Sequence, residues 1–487
     1  MARRLSGKKF TIGAVLFVLA VLVVLLLLFF ANRKVWHAKP FDSPPELSID
    51  RRHAAEALAS YIRIDTSTPP GIEPEPEPEH IGLLIDRYIR PLGLEHEVIA
   101  DRSLLVRWPA GEADDVGGPA LFLSHSDVVP VGEDDLSRWT HPPFSGHIGD
   151  GYVWGRGAID NKASTICQLE AIKALKDADL RPHRDIVLLV VPDEEIGGER
   201  GAGLVVREHR EALGDPWAVF DEGSFVVPDF VEGATVAPVA IGEKRYVTIR
   251  LTVEGEGGHS SMPGTDDPPD VLAAALGKLS GYRQPPRITE PVAIMLDRMA
   301  SEMPFGKRVV LRNDWLFGRL VEKELAKRPA SNAIMRDTMA LTMLRSGVKD
   351  NVVPGRAQAT YNLRLLPGSD LDAVLGRIER RIGDPRVEVE VADDWGETPI
   401  APWDDERFFR LARSLKTAMP EVLVTPTLTP ATMDARWFAQ NGMPTYRLVP
   451  FTLDRSERQR VHGIDERISL DNLEQATRVY AHIMRFY

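Results

Sequence analysis

Histidine and acidic residues follow several short apolar runs of this sequence, at the points where those runs end. His125 and Asp127 come directly after residues 120–123, and Glu194 and Glu195 come soon after residues 186–191. Further residues of the same types stand in comparable positions, namely Asp160, Asp221 and His462. Imidazole and carboxylate groups bind divalent metal ions, which polarise carbonyl groups and acidify water. These residue types are therefore candidate ligands of a metal site.

The pair His125 and Asp127 has a spacing that suits a supported metal ligand. In extended backbone, side chains two residues apart project to the same side, so Asp127 can lie beside His125. A carboxylate that holds the second ring nitrogen is the usual support of a metal-bound histidine. A single motif of this kind is weak evidence, because a lone histidine is more often a surface or core residue. The recurrence after successive apolar runs is the stronger signal.

The elements that position these residues alternate between strand and helix patterns. Residues 120–123, 186–191 and 217–220 are apolar runs typical of strands buried on both faces. Residues 163–178 place apolar side chains every three residues, which predicts a helix between the first two strands. This order predicts an α/β catalytic domain with a mostly parallel sheet flanked by helices, and ligands bind at the carboxyl ends of such strands.

The pattern of apolar and polar residues changes from about residue 243. Residues 246–253, 357–364 and 387–391 alternate apolar and polar side chains, as half-exposed antiparallel strands do. We therefore predict an inserted, smaller α+β domain at 243–396, acting as a lid or dimerisation domain. The catalytic domain would occupy 41–242 and 397–487. The proline- and glutamate-rich residues 66–80 predict an exposed loop.

The N-terminus predicts one transmembrane helix. Residues 10–31 form a run of 22 residues without a charge, long enough to span a bilayer core. Four basic residues precede the run, which favours a cytoplasmic N-terminus and a catalytic domain on the other side: periplasm, lumen or outside. Residues 1–40 would thus form a stub, an anchor and a tether. A cleaved signal peptide is the alternative, but its apolar region is usually shorter.

Bulk composition bounds the remaining possibilities. A length of 487 residues favours two folded domains, and 44% hydrophobic with 27% charged residues is typical of globular chains. A net charge of -12 argues against nucleic acid as a partner, because phosphate binding needs a concentrated positive surface. The single cysteine, Cys167, cannot form an intrachain disulfide or a thiolate metal site.

Taken together, the motifs resemble a known family. The order H-S-D, G-R-G-x-x-D-x-K, D-E-E, D-E-G and a late histidine is similar to the M20 family of dinuclear zinc peptidases and aminoacylases. Lys349-Asp-Asn-Val-Val-Pro354 and His462-Gly-Ile-Asp-Glu-Arg-Ile-Ser469 resemble the branch of carboxypeptidase S and the secreted N-acyl-amino-acid hydrolases. The resemblance runs from about residue 50 to the end of the chain.

The resemblance implies a role for each residue of the acidic cluster. Asp160 would bridge two zinc ions, with cobalt or manganese as substitutes. His125 and Asp221 would complete one metal site. Glu195 and His462 would complete the other. Asp127 would orient His125, and Glu194 would be the general base.

The inserted domain is expected to supply three more residues. In the family, the histidine matching His259 stabilises the oxyanion, often from the partner of a homodimer, and that assembly is left open for this chain. Asn351 and Arg364 match positions that hold the substrate carboxylate or the transition state, a task that suits the planar arginine side chain. The family usually shows a glycine before Thr-Asp where this chain has Thr432-Met433-Asp434, so roles for Asp434 and Arg436 stay open.

The predicted function is hydrolysis of amide bonds beside a free carboxylate, in small peptides or N-acyl amino acids. The alternative is a catalytically dead, membrane-tethered binding protein of the same fold. A phosphoesterase is disfavoured because the sequence has no Walker-type phosphate loop. Apolar residues between 285 and 344 line a substrate pocket or, as the more ordinary explanation, form helix core: Met295, Leu296, Trp315, Leu316 and Phe317.

Overall fold

A computed structural model describes residues 2–67, 79–100, 102–111, 117–231 and 233–487, with side chains described from Val15 onward. Most of the loop predicted at 66–80 lies outside these residues. Within them, the fold is mixed α/β and is built on one large sheet, a smaller sheet in the inserted segment, and short strand pairs.

The large sheet has eight strands in the described part of the chain, in the order β1-β2-β6-β3-β7-β16-β8-β15. Their bounds are β1 (Glu95–Ile99), β2 (Ser103–Trp108), β3 (Ala120–His125), β6 (Ile186–Val191), β7 (Ala218–Val231), β8 (Ala234–Glu243), β15 (Leu423–Thr429) and β16 (Thr445–Thr452). Between β3 and β6 the chain forms β4 (His147–Gly149) and β5 (Tyr152–Trp154), and β5 pairs with both β4 and β17 (Arg467–Ser469) in a three-stranded sheet.

The prediction of a mostly parallel sheet is correct only for its centre. The strand β3 pairs in parallel with β6 and β7, β7 with β16, and β8 with β15. The pairs β1–β2, β2–β6, β7–β8 and β8–β16 are antiparallel. The sheet is therefore mixed, because the chain returns by short turns at β1–β2 and β7–β8, whereas helical crossovers connect its centre.

Helices cover the large sheet and bury its faces. They are α2 (Arg51–Ile62), α3 (Glu79–Leu84) with a π-helical turn (Ile85–Ile89), α4 (Glu133–Leu136), α5 (Lys162–Asp177), a 3-10 turn (Glu194–Ile196), α6 (Ala202–Glu208), α7 (Arg210–Leu213), α14 (Glu406–Ala418), α15 (Ala435–Gln440), α16 (Arg455–Arg458) and α17 (Leu470–Phe486). Ile166, Leu169 and Ile172 of α5 are buried in the main core, as their spacing predicts. The helix predicted over 163–178 is thus confirmed.

The inserted segment contains an antiparallel four-stranded sheet in the order β11-β13-β9-β14. Its strands are β9 (Arg245–Glu254), β11 (Thr338–Ser346), β13 (Arg356–Leu365) and β14 (Glu388–Asp394), with the small pair β10 (Gly258–His259) and β12 (Val352–Val353). The helices α8 (Pro268–Leu279) and α13 (Leu371–Ile382) pack on this sheet in a separate core. The three alternating runs identified in the sequence are strands β9, β13 and β14.

The middle of the inserted segment packs elsewhere. It forms α9 (Glu290–Ser301), α10 (Phe305–Arg312), α11 (Asp314–Leu325) and α12 (Pro329–Ala333). Met295 and Leu296 of α9 are buried against Leu428 of the large sheet, so they are helix core. Trp315 and Leu316 are exposed instead, so they belong neither to the helix core nor to the substrate pocket that the sequence left open.

The N-terminal residues form the helix α1 (Ala2–Ala31). Among the residues whose side chains are described, no helix combines the length and the apolar character needed to cross a bilayer. The side chains of residues 10–14, which belong to the predicted anchor, are not among them. The anchor therefore stays a prediction.

Candidate functional site

Two histidines and two carboxylates meet where the carboxyl ends of β3 and β6, the turn before α5 and the segment between α16 and β17 come together. Asp160 lies between the histidines: its Oδ1 is 3.1 Å from Nε2 of His125, and its Oδ2 is 3.1 Å from Nε2 of His462. Glu195 Oε1 lies 3.1 Å from the same nitrogen of His462. Four of the five predicted metal ligands therefore meet, namely His125, Asp160, Glu195 and His462, and Asp160 lies between the two histidines.

Of the adjacent residues Asp221 and Glu222, the structure places Glu222 beside His125, whereas the sequence predicted Asp221 there. Glu222 Oε1 lies 3.2 Å from His125 Nε2. Asp221 is buried and its Oδ2 accepts a hydrogen bond from the backbone N–H of Ala435 at 2.9 Å. Both residues lie within β7, which continues to Val231 instead of ending at residue 220. Neighbouring strand residues project to opposite faces, so only one of the two can face His125.

Asp127 supports the site at two points. Its Oδ1 lies 3.3 Å from Nδ1 of His125, and its backbone oxygen lies 3.0 Å from the same nitrogen. The two carboxylate oxygens also accept from the backbone N–H groups of Glu194 and Glu195, at 3.2 and 3.0 Å. The carboxylate is thus placed to orient His125, as predicted, and it also fixes the turn that presents both glutamates.

A second buried carboxylate, Glu466, holds the other side of the site. It pairs with Arg156 at 2.6 Å and accepts from the N–H groups of Ile159 and Asp160 at 2.8 and 3.1 Å. Arg156 also donates to the backbone oxygen of His462 at 3.2 Å. Both residues lie in the quoted motifs, but nothing in their spacing indicates that they join. They are positioning residues that sequence reasoning did not identify.

The electrostatics of the cluster are dominated by crowded carboxylates. Burial raises the pKa of Glu222 to about 8, and the charge of Asp160 adds to the effect. Burial raises the pKa of Glu194 well above its usual range, with Glu222 as the next cause. Hydrogen bonds to Asp160 and Glu195 raise the pKa of His462 to about 10. This excess of negative charge is what bound cations would neutralise.

The donor set fits divalent metal ions. Two sets of residues each bring three ligand atoms within 4.8 Å of one another. One set is His125, Glu194 and Glu222, and the other is His125, Asp160 and Glu195. Histidine nitrogen and carboxylate oxygen without a thiolate suit zinc, cobalt or manganese. Ligand atoms about 3.2 Å apart are also what tetrahedral coordination at about 2.0 Å requires.

Arg364 of the inserted segment reaches the large domain at their junction. Its Nη1 donates to Thr432 Oγ1 at 2.7 Å, its Nε donates to Asn362 Oδ1 at 3.0 Å, and its guanidinium stacks on Tyr246. Burial lowers the pKa of Arg364, while Tyr246, Glu243 and Glu194 favour its charged form. Arg364 is thus a half-buried cation held at the junction between the inserted segment and the large domain.

The residues after Thr432 also take defined places. Arg436 donates to the backbone oxygen of Gly197 at 2.6 Å and stacks on Trp395. Asp434 is buried, and its pKa is raised well above its usual range by burial and next by Asp193. Arg436 therefore tightens the turn that follows Glu195, a role that the sequence left open.

His259 and Asn351 lie together on the inserted segment. The pairing of β10 with β12 places His259 opposite Val352, and the N–H of Ser260 donates to the backbone oxygen of Asn351 at 3.3 Å. Both side chains are exposed. Within the described residues, neither group of close metal-ligand atoms includes His259. The structure thus places these two predicted residues beside each other, and their roles in the reaction stay predictions.

Comparison with known sequences identifies a family and two kinds of relative. The model of peptidase family M20/M25/M40 matches residues 121–485. Probable carboxypeptidase S-like 2 of Dictyostelium discoideum is 34% identical over 397 residues, covering 80% of this chain and 76% of the relative. The human N-fatty-acyl-amino acid synthase/hydrolase PM20D1 is 31% identical over 479 residues, covering 94% of this chain and 93% of the relative.

Solved structures share the fold. An M20 family metallo-carboxypeptidase, Sso-CP2 from Sulfolobus solfataricus, superposes with a TM-score of 0.64 at 20% identity and covers 89% of this chain and 99% of its own. Human carnosine dipeptidase 1 gives a TM-score of 0.62 at 18% identity, and the match covers 89% of this chain and 95% of the dipeptidase. At these identities the likeness concerns the arrangement of helices and strands.

Proposed function

This chain belongs to peptidase family M20/M25/M40, and we propose that it cleaves amide bonds beside a free carboxylate with two bound zinc ions. The observation that carries the proposal is the position of Asp160, whose two oxygens each face a different histidine. His125 and Glu222 would complete one metal site, and Glu195 and His462 the other. Ions held there would supply Lewis-acid chemistry, which polarises an amide carbonyl and acidifies water.

Glu194 is the residue we assign to proton transfer. It lies beside His125 and Glu222. Among the described ion pairs of His125 and His462, those of the cluster involve Asp160, Glu195 and Glu222 and not Glu194. Burial raises the pKa of its carboxyl group, which makes its anion a stronger base. It would accept the proton of the attacking water and deliver it to the leaving nitrogen.

The substrate proposal rests on the relatives and on Arg364. The relatives are named as carboxypeptidase-like proteins and as N-fatty-acyl-amino acid synthase/hydrolases, and both substrate classes present a free carboxylate next to an amide. Arg364 lies at the junction with two of its nitrogens already bonded to protein oxygens. Its charge would hold the substrate carboxylate at this end of the site.

The test combines metal content with turnover on the full chain in detergent. We expect about two zinc ions per chain by mass spectrometry, and hydrolysis of N-acyl amino acids or C-terminal dipeptides that chelation abolishes and zinc restores. Glu194→Gln should keep the metal and lose roughly 100- to 10,000-fold in kcat, the range that general acid–base catalysis contributes.

Other outcomes would support the alternatives. A folded chain that takes up no metal and turns over no amide would be a binding protein of this fold. Hydrolysis of phosphate esters in preference to amides would indicate a different reaction class. Normal turnover by Glu194→Gln would remove the proposed base.

We also propose a homodimer and a membrane anchor. The exposed His259 would act in the site of a partner subunit, and its exposure in the single chain supports this. The uncharged residues 10–31 lie within α1 and follow four basic residues, which supports an anchor with the catalytic domain on the non-cytoplasmic side. Sedimentation would test the dimer. Extraction of membranes with alkaline carbonate would test the anchor, and release of the chain would contradict it.

A further inference from the structure

The helices α10 and α11 meet at the end of the N-terminal helix. Arg312 donates to the backbone oxygens of Ala31 and Arg33, at 3.0 and 2.9 Å. Asn313, which is fully buried, donates to the backbone oxygen of Leu27 at 3.4 Å. The backbone oxygen of Ala31 lies at the end of α1 and lacks a partner within that helix, so Arg312 caps α1. The junction of α10 and α11 is therefore held level with the last turn of α1.

One face of α11 is apolar, basic and exposed. When α11 is viewed along its axis, with about 100° between successive residues, five side chains are neighbours within an arc of roughly 140°. They are Trp315, Arg319, Lys323, Leu316 and Leu320. All five are exposed. Val321, on the opposite side, is buried in the core that α9 shares with the large sheet. The helix thus has one side that packs on the protein and one that the described residues leave uncovered.

The charge around this face opposes the charge of the whole chain. Residues 305–328 contain seven basic residues and three acidic ones, whereas the chain has a net charge of -12. Phe305, at the start of α10, adds another exposed aromatic ring. Exposed tryptophan, leucine and phenylalanine interspersed with lysine and arginine are typical of helices that lie in the headgroup region of a bilayer.

We infer that this outer face of α11, together with Phe305, rests on the surface of a bilayer that contains anionic lipids. The inference depends on the proposed anchor, because the level of α11 relative to the bilayer follows from the position of α1. If residues 10–31 span the bilayer, Leu27 and Ala31 lie at its edge, and the hydrogen bonds of Arg312 and Asn313 hold α11 at the same level. The apolar side chains would enter the interface, and Arg319 and Lys323 would meet lipid phosphates.

This contact would fix how the catalytic domain stands on the membrane. A single helix joined to a domain by a tether lets that domain turn freely. A second contact through α11 restrains it, because α9 packs with Val321 of α11 and with Leu428 of β15 in one core. The strand β15 ends just before Thr432, which bonds Arg364. The site would therefore keep one orientation toward the surface where amphipathic N-acyl amino acids collect.

The experiment compares two equally exposed positions on the full chain. Leu316 is 49% exposed and Val98, on the edge strand β1, is 48% exposed. Each is replaced by cysteine and labelled with an environment-sensitive nitrobenzoxadiazole dye, and the native Cys167 is buried. The chains are reconstituted in phosphatidylcholine vesicles with or without phosphatidylglycerol and with doxyl-labelled lipid as quencher.

We expect blue-shifted emission and several-fold stronger quenching at Leu316→Cys than at Val98→Cys. Adding Arg319→Glu and Lys323→Glu should reduce that quenching on anionic vesicles. Equal emission and quenching at both positions, on a chain that floats with the vesicles, would overturn the inference and leave the anchor standing. A chain that does not float would overturn both. Turnover in detergent reports on the proposed hydrolase independently.

Discussion

The acidic cluster and the His259 turn differ in how firmly the chain holds their side chains. In the cluster, Asp127 and Glu466 are buried and each accepts two backbone hydrogen bonds that fix the residues beside them. In the turn, His259 Nδ1 lies 2.8 Å from the hydroxyl of Ser261, and both residues are exposed. Buried hydrogen bonds thus hold the cluster in a fixed geometry, whereas the side chains of the turn are exposed to solvent.

The difference shows which parts of such a site must be preorganised. Four carboxylates crowded around two histidines repel one another, so their positions have to be enforced by buried hydrogen bonds. A histidine that donates to a developing oxyanion is needed only when substrate is bound. It can therefore arrive from a mobile segment or from a partner subunit.

The largest expected effect comes from the ligands inside the cluster. Glu222→Gln should lose one of the two proposed metal ions and lower kcat/KM by more than the roughly 100-fold that follows loss of a supporting partner. Asp221→Asn should keep both ions, because Asp221 faces the N–H of Ala435. Metal content and turnover of the two variants, measured side by side, check this prediction. Metal loss in Asp221→Asn alone would restore the ligand predicted from the sequence.

The second effect concerns the buried support. Glu466→Gln leaves Arg156 buried without its counter-charge, so we expect the free energy of unfolding to fall by about 3–5 kcal/mol. The matched control is Glu390→Gln in the inserted segment, which breaks an exposed pair with Arg250 and should cost less than about 1 kcal/mol. Urea denaturation of both variants measures the difference. Equal losses would mean that the two regions are held with equal strength.

The third effect concerns the exposed turn. His259→Ala should lower kcat by about 100- to 1000-fold, as loss of an oxyanion donor does, without changing the melting temperature. Met262→Ala, at an exposed position in the same turn, is the control and should retain full activity. Mixing inactive His259→Ala with inactive Glu194→Gln should restore turnover if the histidine acts across a dimer. Full activity of His259→Ala would exclude it from the reaction.

The smallest effect is a dependence of stability on pH. Burial lowers the pKa of His482 to about 4, whereas in the unfolded chain it is about 6.5. Between these values only the unfolded state binds the proton, so the free energy of unfolding should decrease as the pH falls from 6.5 to 4. His482→Phe should remove about 3 kcal/mol of that decrease. Urea denaturation of both chains at pH 6.5 and at pH 4 measures the difference.

The sequence by itself determined the chemistry of the site and the type of most elements. Runs such as residues 186–191 fall on the strand β6 residue for residue, and the helix at 163–178 differs by one residue at each end. Both are local properties, since a period of two or of 3.6 is set by the backbone of the segment itself. His125, Asp160 and His462 could be named because the motifs that contain them resemble those of a known family.

Only the tertiary structure decided which neighbour in an acidic pair faces the site and which distant residues support it. Asp221 and Glu222 are both acidic and adjacent, and the face that each presents depends on how β7 packs between β3 and β16. Glu466 and Arg156 are separated by 310 residues, and their pairing follows from the return of the chain beside the turn of Asp160. Long-range packing sets these choices, and no local pattern of side chains encodes them.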